Sequence, residues 1–112
     1  MNEGKKIIFT MNIQKFQNEF FMKRKIEYKS EGRSGYVIYS DDKTRFSLYY
    51  EFGGGDCVAI VNIPSADEWM KVTGSPLSSR DEILAFVGNQ IVKDQTSQGH
   101  FKISGNFIEI YE

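Results

Sequence analysis

From Arg45 to Phe52 an aliphatic or aromatic residue stands at every even position, with Arg45, Ser47, Tyr49 and Glu51 between them. Successive side chains of an extended strand point to opposite faces. Phe46, Leu48, Tyr50 and Phe52 therefore share one face, and Arg45, Ser47, Tyr49 and Glu51 share the other. One side is suited to burial and the other to water, the pattern of an antiparallel sheet covered on a single face.

The flanking segments extend this reading. Ile26 and Tyr28 alternate with charges, and residues 35–40 (GYVIYS) are rich in β-branched and aromatic side chains that favour strands. Short Gly/Ser-rich stretches at 30–35, 53–56, 73–79 and 96–99 read as turns between elements, as does Asp41-Asp42-Lys43-Thr44. Gly53-Gly54-Gly55-Asp56 leads into residues 57–63, a nearly continuous apolar strand expected at the centre of the sheet.

Two S-x-x-E capping boxes follow, Ser65 with Glu68 and Ser79 with Glu82. The first predicts a short helix that carries Trp69 and Met70 and stops before Gly74, with Pro76 preventing simple continuation. The second predicts a helix over about 80 to 95, with Ile83, Leu84, Phe86, Val87 and Ile91 as a broad apolar stripe. Residues 100–104 and 106–111 read as strands around a Gly105-Asn106 turn. Upstream, Ile7, Phe9 and Met11 predict a strand over 6–11. Ile13, Phe16 and Phe20 predict a helix that starts at Thr10 or Asn12 and ends near Lys23.

The order β-α-β-β-β-α-α-β-β places the chain in the α+β class, as an antiparallel sheet with helices packed on one face: a two-layer sandwich, or a roll if the sheet curls. The 112 residues fit one domain. Nine Phe, six Tyr and one Trp provide for a core without cross-links. Cys57 is the sole cysteine, so no intramolecular disulfide forms and a small secreted scaffold is disfavoured. No apolar run reaches the roughly 20 residues that cross a bilayer, and polar Asn12, Gln14 and Lys15 interrupt any signal-peptide core. The expected location is cytoplasmic, with no membrane association.

The residue types that could carry chemistry each have a plainer reading beside the functional one. The three glycines at 53–55 lack the Gly-Lys-Ser/Thr ending of a phosphate loop, and Asp56 beside them would repel an anion. Cys57 lies between that same Asp56 and apolar Val58 rather than beside a cation that would activate it. One Cys and one His do not make a structural zinc site, so no metal and no cofactor are expected. Asp67/Glu68 and Asp81/Glu82 fall in first turns of helices, where the helix dipole explains them.

An enzyme reading would pair His100 with Asp56 or Glu109 at strand ends. Net charge is −1 overall, yet residues 1–33 hold eight Lys/Arg against four acids, a net of +4, while residues 34–112 hold six against eleven, a net of −5. Lys5, Lys6, Lys15, Lys23, Arg24, Lys25, Lys29 and Arg33, interleaved with Phe20, Phe21 and Tyr28, would suit single-stranded nucleic acid, with Lys23, Arg24 and Lys25 at the centre. The sequence pI of about 5.9 and the missing RNA-binding signature argue against a nucleic-acid partner.

The tyrosines are what packing explains least. Alternation cannot bury Tyr36, Tyr39, Tyr49 and Tyr50 on one side of two neighbouring strands. A wet face carrying Tyr49 with Arg45 and Glu51 has the composition of a protein-binding surface. The expectation is a non-catalytic binding module for a protein partner, another copy of itself included, or for a small apolar ligand. Its site residues are Tyr36, Arg45, Tyr49 and Glu51, with Trp69 as a pocket wall or simply core.

Overall fold

The structure, a computed structural model, describes residues 23–112. The strand expected over 6–11 lies outside the described residues. So does the helix expected before Lys23, with Phe20, Phe21, Lys5, Lys6 and Lys15.

Among the described residues, six strands form one antiparallel sheet: β1 (Lys25–Glu31), β2 (Ser34–Ser40), β3 (Arg45–Phe52), β4 (Cys57–Asn62), β5 (His100–Ser104) and β6 (Phe107–Tyr111). Their spatial order is β1-β2-β3-β4-β6-β5. Helices α1 (Trp69–Thr73) and α2 (Arg80–Gln95) lie in the connection between β4 and β5. The class expected from the sequence is the one observed, and β4 is interior, flanked by β3 and β6.

The turn at 30–35 divides residues 25–40 into two paired strands, β1 and β2. It is a two-residue hairpin, Gly32-Arg33, with Gly32 at φ 72, and Gly105-Asn106 repeats it with Gly105 at φ 61. Positive φ at the first central residue is what a hairpin turn matched to right-handed strand twist requires. Between β2 and β3, the Asp41 carboxylate accepts the backbone N–H groups of Lys43 (2.8 Å) and Thr44 (2.9 Å), the local bonding that makes aspartate a turn residue.

Both helices occupy the spans read from the sequence, but their starts are built differently. Neither Ser65 nor Ser79 makes a side-chain cap. A 3-10 turn precedes each helix (Ala66–Glu68 and Leu77–Ser79) and runs directly into it. Ser79 already has near-helical angles (φ −94, ψ −6), whereas a capping hydroxyl needs an extended residue. Arg80 ties the start of α2 back to the beginning of this connection, with Nε and Nη2 donating to the Pro64 carbonyl at 3.3 and 2.9 Å.

The core lies between the helices and one face of the sheet. Tyr39, Trp69, Leu84, Val87, Ile108 and Ile110 are completely buried there. Six strands spaced about 4.8 Å apart span about 24 Å, whereas a helix with its side chains is about 10–12 Å wide. Strands at both edges nevertheless reach α2. The Tyr28 hydroxyl of β1 donates to Asp94 at 2.8 Å, while Phe101 of β5 lies against Gly88. The sheet therefore bends around the helix, with its concave face filled and its convex face outward.

Candidate functional site

Alternation sorts the tyrosines as the sequence requires. Tyr39 and Tyr50 point into the core, and Tyr36 and Tyr49 point out through the convex face, 37% and 38% exposed. Tyr36 and Tyr49 are direct partners in the β2–β3 register, and their rings meet edge to face with centroids 5.7 Å apart. The Tyr49 hydroxyl donates to Glu51 Oε2 at 3.3 Å. Asn62 Nδ2 of β4 donates to the Tyr49 carbonyl at 3.2 Å. Arg45 shares the face at the other end of β3, where Nη2 lies 4.0 Å from Glu27 Oε1 of β1. The structure thus brings four expected residues, Tyr36, Arg45, Tyr49 and Glu51, to one surface.

It also adds residues that the sequence did not assign to this face. The register places Lys25, Glu27, Lys29 and Glu31 of β1 and half-buried Ile38 of β2 on the same face. Farther along, Ile60 faces Glu109, and Phe107 (40% exposed) is paired with Asn62. The alternating charges of residues 25–31 were the available signal. What assigns them to a face is pairing with β2.

Trp69 is elsewhere. It is wholly buried on the helix side, edge-on to Phe46 (5.6 Å between centroids), and its Nε1–H donates to the Pro76 carbonyl at 3.1 Å. It belongs to the core and does not meet Tyr49.

The helix side holds a cavity of about 130 Å³ near the C-terminal end of α2. Val37, Val58, Val61 and Ile91 supply apolar walls, and half-exposed Phe52 lies at one end of β3 beside it. Phe52 was expected to be buried with Phe46, Leu48 and Tyr50, but its position at the end of the strand leaves it 48% exposed. Within the lining, the Ser30 and Tyr50 hydroxyls bond at 2.9 Å. Burial, then the bond to Asp94, raises the Tyr28 phenol well above its ordinary value, so it stays a neutral donor.

Arg24, between Lys23 and Lys25, is engaged with the fold: Nη2 donates to Glu82 Oε2 at 2.6 Å. Lys25 lies 3.7 Å from Glu27. At the opposite corner of the sheet, the His100 ring stacks on Tyr111 (5.2 Å, 17°), and the Tyr111 hydroxyl donates to Glu109 Oε1 at 2.8 Å. That bond raises the Tyr111 phenol. The aromatic ring thus takes up both groups of the expected pair. The Asp56 carbonyl accepts the Glu112 N–H at 3.2 Å, and the Cys57 thiol donates to the Ala59 carbonyl at 3.6 Å.

Among the described residues, no group of three or more His, Cys, Asp or Glu side chains is placed to hold a metal ion, and no helix is long and apolar enough to cross a membrane. Compared with known proteins, the chain matches no family model, no curated protein and no solved structure.

Proposed function

We propose that this chain is a non-catalytic binding module that docks a protein on the convex face of its sheet. The observation that carries the reading is the Tyr36–Tyr49 pair, two aromatic rings held edge to face and more than one-third exposed on a rigid antiparallel ladder. Tyrosine offers a large contact area at low entropic cost, and it is enriched at protein interfaces. The charged groups of β1 and β3 frame the pair as a polar rim.

The test is the double variant Tyr49→Ala/Arg45→Ala. Arg45 is exposed, so its loss is expected to change stability by no more than about 0.5 kcal/mol, and Tyr49, which loses its ring contact with Tyr36, by about 1 kcal/mol. Proteins retained by the immobilised wild-type chain are expected to be lost. A large loss of stability would make the face structural, and unchanged retention would move the binding site elsewhere.

A second reading has its own observation, the cavity beside Tyr50. Its volume of about 130 Å³ is comparable with apolar cavities of about 150 Å³ that take up benzene or xenon. A small apolar ligand would fit there, with the Ser30–Tyr50 hydroxyl pair as its polar contact. Benzene-sized ligands are expected to raise the melting temperature if the cavity binds them. Val61→Phe, which fills the space, is expected to abolish that shift.

A further inference from the structure

We infer that the partner of the convex face is a second copy of this chain, related by a two-fold axis that crosses β1, β2 and β3 beneath Tyr28, Val37 and Leu48. The inference rests on reading that face as a docking surface. Tyr28 pairs with Val37 and Val37 with Leu48, so these three inward-pointing residues form one row across the sheet. Tyr28 is the midpoint of β1 (Lys25–Glu31) and Val37 the midpoint of β2 (Ser34–Ser40). Leu48 lies midway between Arg45 and Glu51.

The outward residues on either side of that row are arranged antisymmetrically in charge. On β1 they read Lys25, Glu27, then Lys29, Glu31; on β3 they read Arg45, Ser47, then Tyr49, Glu51. A two-fold rotation about a line in the face and perpendicular to the strands exchanges the two ends of every strand. Each outward residue then faces the one equally far beyond the midpoint of the same strand in the other copy. Lys25 meets Glu31, Glu27 meets Lys29, and Arg45 meets Glu51. Between these charges Tyr36 meets Ile38, Tyr49 meets Ser47, and Ser34 meets Ser40.

Every charged residue of these three faces meets its opposite, and symmetry makes each pair occur twice. A lysine–glutamate–glutamate–lysine order on β1 would have set like charge on like. The surface is therefore self-complementary in the sense that an isologous contact demands, and the charge pattern fixes its register. Face-to-face sheets pack about 10 Å apart, which brings these side chains within reach of one another. Within one copy Arg45 is held only loosely, 4.0 Å from Glu27, so it is free to turn to Glu51 of the other.

Seven residues on each of the three strands cover on the order of 300 Å² in projection. Stable interfaces bury about 800 Å² per partner, so the dimer is expected to be reversible and concentration-dependent. Its ion pairs lie at an open rim, so salt weakens it.

The test is sedimentation velocity across protein concentration at low ionic strength, on wild type, Arg45→Glu, Glu51→Arg and an equimolar mixture of the two variants. Circular dichroism confirms that each is folded. Wild type is expected to dimerise, and either reversal alone to weaken association by roughly tenfold. The mixture is expected to recover wild-type association as a heterodimer, because both cross-contacts then join a glutamate to an arginine.

A wild-type chain that stays monomeric up to about 1 mM would overturn the inference, as would reversals without effect or a mixture that does not recover. In the monomeric case, the loss or survival of partner retention in Tyr49→Ala/Arg45→Ala decides separately whether the face docks anything. Self-association can thus fail while the docking face stands.

Discussion

Asp41 shows how much one side chain can organise. Its carboxylate accepts the Tyr39 hydroxyl at 2.6 Å and the backbone amides of Lys43 and Thr44, which ties the end of β2 to the turn into β3. Burial alone would raise the carboxyl, but these three donors and the nearby Arg24 charge outweigh it and hold it below its ordinary 3.8. A carboxyl depressed on folding contributes stability above its unfolded value and loses it as pH falls through the lower folded value. Urea unfolding of wild type and Asp41→Asn is therefore expected to differ at pH 7 and to converge as pH falls below about 4. A constant difference at all pH would show that Asp41 acts through shape rather than charge. Trp69 gives the apolar counterpart. Fully buried against Phe46 and bonded to Pro76, it is expected to cost about 3–5 kcal/mol when changed to Ala, read from the denaturation midpoint. A cost under about 1 kcal/mol would mean that the site collapses around the loss.

At the scale of elements, the seat of α2 on the sheet depends on Gly88. A Cβ there would come 2.6 Å from the Phe101 ring, so the helix approaches β5 closely because this residue has no side chain. Gly88→Ala is expected to destabilise by about 1–3 kcal/mol through overpacking, despite the better helix propensity of alanine. Gly54, in the turn between β3 and β4, has open space around its would-be Cβ and no positive φ. Gly54→Ala is expected to be neutral or to stabilise by up to about 1 kcal/mol, by restricting the unfolded chain. Opposite signs in thermal unfolding would confirm this account of the two glycines, and equal signs would contradict it.

The elements were largely legible in the sequence because each is a local pattern: alternation for β3, an apolar stripe for α2, and Gly105-Asn106 for the last hairpin. The capping hydroxyls were not legible. Ser79 has the right spacing to Glu82, but whether it caps depends on the 3-10 turn that leads into it. The division of residues 25–40 into β1 and β2 was legible as the Gly/Ser-rich stretch at 30–35, within which Gly32, at positive φ, marks the reversal.

At the scale of the whole molecule, the sheet bends around α2 and leaves its convex face outward, with the Tyr36–Tyr49 pair among the charges of β1 and β3. Alternation within β3 was enough to put Tyr49, Arg45 and Glu51 on one face. The charges of β1 joined them only through register, which depends on which strand pairs with which. The cavity beside Tyr50 was not legible at all, since Ser30, Val61 and Ile91 meet there from three elements distant in sequence. If two copies pair through this face, the dissociation constant is expected to rise by roughly tenfold or more between 50 mM and 500 mM salt, as Debye screening shortens the reach of exposed pairs. Salt-independent association would place the contact on an apolar surface instead.

The claim that the convex face is the working surface is tested most directly by hydroxyl-radical footprinting. The chain would be labelled once in an extract of the cells that make it and once as a dilute purified protein. Oxidation of Tyr36 and Tyr49 is predicted to fall in the extract relative to the dilute chain, while exposed Met70 and Leu77 on the helical side are oxidised equally in both. Unchanged labelling of Tyr36 and Tyr49, with protection appearing at Met70 and Leu77 instead, would contradict the account and place the contact on the helical layer.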